Sequence, residues 1–410
     1  GWSSGANVHG GRADFRAAFT VNGRAPVMGE TWRFPDQATT LEAIAASRGE
    51  AFYRGSLAER IARHVQAGGG LLATSDLATH QADWVEPINT PFHGHELHEI
   101  PPNGQGLAAL MALAILRHTD LADAEPDSLH AMHLQIEAMK LAFADAHRYV
   151  ADPDHLDVDP SVLLDDGYAA ERARLIDPGR AGDPGHGVPN RGGTVYLTCA
   201  DANGRMVSFI QSNYYGFGSG VVVPGTGIAL QNRGAGFTLE PGHPNRVGPG
   251  KRPFHTIIPA FLTQAGAARM SFGVMGGPMQ PQGHLQMVVR TVLWNQNPQA
   301  AADAPRWQVV QDARSPWRTP CLPTSVMASR PWDTTSRERL RKRASRTGAR
   351  NSLGGSTEGV TWQAPTPART DSRSVFDRMW CTNPFVRGEV VASRCRCTVS
   401  RAVPPVLTAR

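Results

Sequence analysis

The sequence is short of several things. It has five cysteines in 410 residues, and only Cys199 precedes residue 313; Cys321, Cys381, Cys395 and Cys397 all follow it. A single cysteine cannot staple the body with a disulfide framework, so that part must be held by an apolar core. No run of eighteen apolar residues occurs, so no spanning helix is expected. Acidic residues are scarce at one end: 6 stand against 18 Lys and Arg from Ala313 to Arg410, whereas the rest of the chain has 30 against 23. A mildly acidic body therefore carries a strongly basic tail, and the net charge of +5 describes neither. Neither an initiating Met nor a charged-then-apolar leader opens the chain at Gly1. The N-terminus is read as a fragment end, and the compartment is left open between periplasmic or secreted and cytoplasmic. No internal repeat is visible.

What is there falls into two patterns. Residues 1–193 read as mostly helical. EAFYRGSLAERIARHVQAGGG is an amphipathic helix ended by Gly68 to Gly70. GHELHEIPPNGQGLAALMALAIL reads as a strand, a Pro-Gly turn and a buried helix. Asp127 or Ser128 can cap a helix running to about Val150, with Met132, Ile136, Met139, Phe143 and Val150 on one face. The stretch from Asp152 to Gly193 is rich in Asp, Pro and Gly and reads as an exposed loop.

Residues 194–312 switch to strand chemistry. Thr194 to Ala200, an Asn203-Gly204 turn and Met206 to Tyr215 form an antiparallel hairpin whose first residue is Thr194. VVVPGTGIAL, HTIIPAFLTQ and ARMSFGVMGG add strands, and PMQPQGHLQMVVRTVLWNQ reads as a helix. Strands following helices indicate an α+β layered fold. Cys199, inside a strand, reads as core and not as a nucleophile. His93, His95 and His98 beside Glu96 look like a metal cluster, but strand alternation turns His98 away from the other two. The Asp- and His-rich run from Asp145 to Asp166 lacks calcium-loop spacing and reads as solvated turns.

The hairpin opens on Gly192-Gly193-Thr194. A threonine hydroxyl is a weak nucleophile, and the nearest base available to it is its own α-amino group, freed when the preceding peptide bond breaks. Gly-Gly permits the strained turn that such a cut needs. Several further motifs lie in order: Asn213, FGSG at Phe217 to Gly220, PGTGI at Pro224 to Ile228, KRPFHTIIP at Lys251 to Pro259, and Gly276-Gly277. AFYRG, PPNGQG and YVADP stand upstream. Together, from Arg12 to Gln311, this ordered set resembles the γ-glutamyltranspeptidase family of N-terminal-nucleophile hydrolases.

The resemblance implies a four-layer αββα sandwich, incomplete at both ends. Residues 1–193 would be the C-terminal part of the large-subunit region, and 194–312 the start of the small-subunit region. The precursor would cut itself before Thr194, which then attacks the amide of a γ-glutamyl donor such as glutathione. Water or an amino acid would take the acyl group. The backbone N–H groups of Gly276 and Gly277 would form the oxyanion hole. Asn213, Gln211, Ser212, Arg233, His255 and Thr256 are the substrate-binding candidates. No cofactor, metal, nucleic acid or membrane span is implied. The related acylases, including those of cephalosporin side chains, are the alternative activity, and a non-catalytic fragment is a third.

The sequence departs from the family pattern in instructive places. Val195-Tyr196 stand where the family has Thr-His after the nucleophile. The family's second threonine, which supports the nucleophile, has Gln211 or Ser212 as its nearest counterpart. An acidic pair that holds the donor's ammonium group is replaced within QNRGAGF, where Ala235 and Gly236 stand. A charge-assisted bond of about 1.5–3 kcal/mol is thereby lost. The family's serine pair appears as His255-Thr256.

Residues 313–410 read as a basic, disordered tail foreign to the family, with RERLRKRASR a by-product and not a nucleic-acid signal. Codon degeneracy lets VTWQAPTPARTDSRSVF, read one base out of frame, become YVAGSDPRKDGQSVGF, a family-like ending, with a permitted stop at Phe376-Asp377. The expectation is a single frameshift near Gln311 to Arg314, which the nucleotide sequence decides. With that region altered, self-cleavage is expected to be slow.

Overall fold

The structure, a computed structural model, describes residues 2–182 and 193–309, together with the backbone of Val326–Ala328 and Val406–Thr408. The rest of the basic tail expected from the sequence lies outside the described residues.

Four antiparallel strands form the central sheet, β1 (Ile88–Phe92), β2 (His95–Glu99), β5 (Ala260–Gln264) and β6 (Ala267–Phe272), in the order β1-β2-β5-β6. Between β2 and β5 in sequence comes a hairpin, β3 (Gly193–Ala200) and β4 (Met206–Tyr214). Its turn closes where Asp201 Oδ1 accepts from the N–H groups of Asn203 and Arg205 and Gly204 takes a positive φ.

Register decides which face meets what. Leu97 pairs with Leu262, and Ala260 pairs with Phe272, so these side chains share one face. On that face pack α1 (Gly106–Leu116), α2 (Leu129–Tyr149) and α3 (Met279–Val288). All eleven residues of α1 are buried, as its unbroken apolar sequence requires. The Ser128 hydroxyl caps α2 by accepting from the N–H of Ala131 at 3.1 Å. Inside this layer Glu99 and His284 are both fully buried, 2.6 Å apart, and burial pushes the Glu99 carboxyl up.

Helix α3 is polar yet buried, because Gln282 and Gln286 serve a strand edge. The Gln286 side chain accepts from the N–H of Trp307 at 3.1 Å and donates to its carbonyl at 3.0 Å. Gln282 accepts from the N–H of Val309 at 2.7 Å. Each amide takes the place of a neighbouring peptide unit, so neither glutamine is buried without partners.

The opposite face of the sheet presents Ser271, and the hairpin lies over it. Thr198 Oγ1 is hydrogen-bonded to Ser271 Oγ, and the Ser208 hydroxyl donates to the Phe272 carbonyl at 3.3 Å. Helices, sheet and hairpin thus stack as three layers. The outer face of the hairpin shows Val195, Leu197, Val207 and Phe209, between 41 and 57% exposed. Cys199 lies on that face and is exposed, not in the core as its strand position implied.

Two other readings change. The helix expected over residues 50–67 is broken into Glu50–Tyr53 and Ser56–Ala67, at the Arg54-Gly55 junction where the chain leaves helical angles. The loop after Asp152 contains two short helices, Pro160–Leu163 and Asp166–Ala173, capped by Asp159 and Asp165. A satellite cluster forms around Phe15 and Phe19, and Phe217 of the FGSG run packs edge-on against both.

Candidate active site

Thr194 stands at the head of β3, where the register slips between Gly193 and Val195. Such a bulge re-aims the side chain it carries. The Thr194 hydroxyl donates to Ser212 Oγ in a long contact of 3.4 Å, and that oxygen accepts from the N–H of Tyr214 at 2.9 Å. Strand alternation then sorts the two candidates named for support. Ser212 shares the inward face with Thr194, while Gln211 pairs across from Val195 and is exposed.

The hairpin also packs on the segment that leads to the paired glycines. Thr198 meets Ser271, and the Tyr196 ring lies against Gly273, where an added Cβ would come within 2.4 Å of Cδ2. The two segments therefore run antiparallel. Gly276 has φ +113° and Gly277 φ +58°. Their carbonyls accept from the N–H groups of Met279 and Gln280 and so begin α3. Among the described residues, neither glycine N–H donates to a backbone carbonyl. Two such N–H groups at the positive end of a helix suit a developing oxyanion.

Gln105 ties the parts together, and the sequence reading passed over it. Its side-chain amide donates to the Thr256 carbonyl at 2.8 Å and to the Gly277 carbonyl at 2.9 Å. Its backbone N–H donates to the carbonyl of His255, whose own N–H donates to that of Asn103. The available signal was a polar residue inside the PPNGQG turn, just before a wholly apolar helix.

Arg233 enters from the other side. Asn232 donates its N–H to the Asn213 carbonyl, and its side chain accepts from the N–H of Tyr215 at 3.0 Å, which locks this segment to the end of β4. Asn213 itself is exposed. The Arg233 guanidinium donates from Nη1 to Thr256 Oγ1 at 3.0 Å and lies 5.2 Å from the centroid of the Tyr214 ring. Its Nη2 is buried without a partner. Burial lowers the guanidinium pKa to about 10 and raises that of the Tyr214 phenol to about 12.

Burial and the Arg233 charge pull His255 down to about 3, from an ordinary 6.5. Between these values the unfolded chain binds a proton that the folded one refuses. This contribution to stability is complete above pH 6.5 and is lost as the pH falls toward 3. Between pH 6.5 and 5.5 the loss is about 1 kcal/mol. His255→Gln is expected to remove that part of the slope, measured as urea midpoints against pH. His98, also lowered, acts in the same direction and stays in both proteins.

His98 itself hydrogen-bonds Thr263 Oγ1 at 2.9 Å, and His93 occupies the β1–β2 turn with a positive φ. Among the described residues, no group of three His, Cys, Asp or Glu side chains could hold a metal, and no helix is long and apolar enough to cross a membrane.

A nucleophile-capable residue heading an inward-facing strand, over a sheet backed by helices, is the arrangement of the N-terminal-nucleophile hydrolase fold. The solved cephalosporin acylase from Bacillus halodurans has that fold and is 44% identical, with a TM-score of 0.71 over 83% of this chain and 62% of that one. The model of the gamma-glutamyltranspeptidase family matches residues 6–375, past the last recognised motif. The chain belongs to that family of hydrolases and transferases. It is 38% identical over 289 residues to a glutathione hydrolase-like proenzyme, YwrD, of Bacillus subtilis, covering 70% of this chain and 55% of that protein. It is 40% identical over 293 residues to the oxamate amidohydrolase proenzyme of Klebsiella pneumoniae, covering 72% and 55%. The chain spans about half the length of the curated relatives it matches.

Proposed function

We propose that the protein is an amide hydrolase working by acyl transfer to Thr194, after a cut between Gly193 and Thr194. The cut frees the α-amino group of Thr194, which takes the hydroxyl proton as Oγ1 attacks the substrate's amide carbonyl. The carbonyl oxygen becomes an oxyanion facing the Gly276 and Gly277 N–H groups. The intermediate collapses, the amine leaves with the proton, and an acyl ester remains on Thr194. Water then takes up the acyl group and restores the hydroxyl.

One observation supports this reading: Thr198 meets Ser271 and Tyr196 lies against Gly273, so the strand headed by Thr194 runs antiparallel to the segment that leads to the glycine turn. The γ-glutamyl donor of the resemblance is the family's expected substrate. The acylase alternative has more in its favour, because the only charged group at this corner among the named site residues is Arg233, a cation. The relatives named for oxamate and cephalosporin chemistry point the same way.

The test is a trapped ester. Incubation with glutaryl-p-nitroanilide and with γ-glutamyl-p-nitroanilide is expected to release p-nitroaniline. It should also add one acyl mass to the peptide beginning at Thr194, more with the glutaryl donor. An adduct on any other residue, or none with either donor, removes the proposal.

A further inference from the structure

We propose that Gln105 is a positioning residue: by holding the Gly277 carbonyl, its side-chain amide aims the Gly276 and Gly277 N–H groups at the oxyanion. This deepens the Thr194 reading and rests on it for the reaction, whereas the hold on the turn does not require the hydroxyl.

The turn cannot aim itself. Gly276 and Gly277 both take positive φ. Glycine enters that region as readily as its mirror image, so local sterics do not fix where the two N–H groups point. The two glycine carbonyls accept from the N–H groups of Met279 and Gln280 at 3.2 and 3.0 Å, bonds that stay within the turn and α3. The Gln105 amide brings a bond to the Gly277 carbonyl from a different element, 172 residues away in sequence. That carbonyl then receives two N–H groups, one for each lone pair.

The Gln105 amide has one working orientation. The residue is fully buried, and both amide hydrogens are committed, to the Thr256 and Gly277 carbonyls. Its Oε1 is buried without a partner. Flipping the amide would set that oxygen against two carbonyl oxygens. An unpaired buried oxygen costs stability, so packing alone favours an apolar residue here, at the head of the wholly apolar α1. The glutamine is explained by what its two hydrogens hold.

The base beneath the amide is fixed. The Gln105 N–H donates to the His255 carbonyl at 3.1 Å, and its carbonyl accepts from the N–H of Ala108 at 3.0 Å. Glu99 of β2 is hydrogen-bonded to His284 of α3 at 2.6 Å. Glu99 also lies so close to Gly106 that an added Cβ there would come within 2.7 Å of its own Cβ. The Gln280 side chain accepts from the N–H of Ile258 at 3.2 Å. The head of α1, the segment 255–258 and the head of α3 are thus tied to one another, and Gln105 makes the tie that reaches the glycines. Donors held in place before charge develops need no reorganisation when it does.

Two variants separate this role from packing. Gln105→Met keeps the length without the amide. Gln105→Glu keeps the shape but, as a carboxylate, offers only acceptors to two carbonyls. With glutaryl-p-nitroanilide, normalised to cut protein, Gln105→Met is expected to lower kcat about tenfold and Gln105→Glu about 100-fold, with KM within about twofold of the parent. Combined with Gly276→Ala, Gln105→Met should cost less than the product of the two separate losses, because both disturb the same donors. A packing role would shift the unfolding midpoint and leave kcat per cut molecule alone.

Hydrogen exchange read by mass spectrometry in the Thr194→Ala background needs no reaction. There Gln105→Met should speed exchange in peptides covering residues 275–282 by about tenfold or more, with those of β5 and β6 unchanged. Should Gln105→Glu fail to fold, Gln105→Met decides together with Gln105→Asn, whose shorter amide reaches at most one of the two carbonyls, each expected to show both effects. The proposal is overturned if the folded variants keep kcat, if the loss lies in KM alone, or if exchange around the glycines is unchanged. Faster exchange with no ester forming on Thr194 in the parent keeps the hold on the turn and removes the nucleophile.

Discussion

Thr194→Ala is expected to stay one chain of 410 residues, where the parent is expected to yield, slowly, fragments of 193 and 217 residues. In the proposed mechanism the hydroxyl is required twice, first to attack the Gly193 carbonyl and then to attack substrate, and alanine can do neither. Per molecule, amide turnover should fall by about 10³-fold or more, leaving what binding and the oxyanion donors achieve alone. Thr194→Ser keeps an oxygen at the same place and should retain part of both reactions. Ser212→Ala removes only a 3.4 Å contact to the nucleophile and is expected to cost far less. Denaturing gels over time, with p-nitroaniline release normalised to cut protein, provide the readout. Parent and Thr194→Ala converting at equal rates would end the assignment.

The second large effect is expected from Gly276→Ala, set against Gly277→Ala. Gly276 has φ +113°, outside any region an alanine enters readily, and its added Cβ would lie 3.2 Å from the Met279 Cβ. Relieving that strain rotates the very peptide whose N–H is assigned to the oxyanion. Loss of one such donor lowers kcat by about 10²–10³-fold. Gly277, at φ +58°, sits where L residues are tolerated for about 1–2 kcal/mol, so its alanine variant should be much milder. The reading requires the fall to appear in kcat with KM little changed, at an unaltered unfolding midpoint. A rise in KM alone would make the turn a binding element instead.

How much of this could be read in advance depended on whether one residue type carried the signal. The β3–β4 hairpin was legible from β-formers around Asn203-Gly204, and α2 from its period and the Ser128 cap. Gln211 against Ser212 was not, because only the pairing register, set by the bulge at Thr194, tells which one faces inward. Cys199 looked internal by composition, but it lies on the hairpin face away from the central sheet. The short helices after Asp159 and Asp165 bury only Leu163 in one case and Ala169 and Ala173 in the other. So few apolar residues leave no period to detect, although the aspartates that read as loop were their caps.

At the proposed site, Thr194 and the Gly276-Gly277 pair stood out as members of an ordered set of family-like motifs, not by their own residue types. The Arg233–Thr256 contact spans 23 residues, and the Gln105 bracket spans 151 and 172. Such links arise only when the chain closes on itself.

The two glutamine amides of α3 have a mechanical consequence. Gln282 and Gln286 grip Val309 and Trp307 one helical turn apart, and a cylinder pinned at two points along its length cannot roll about its axis. Roll is the coordinate that aims whatever stands just ahead of the first turn. The compass bearing of the Gly276 and Gly277 amides is therefore set partly by a tripeptide some thirty positions downstream.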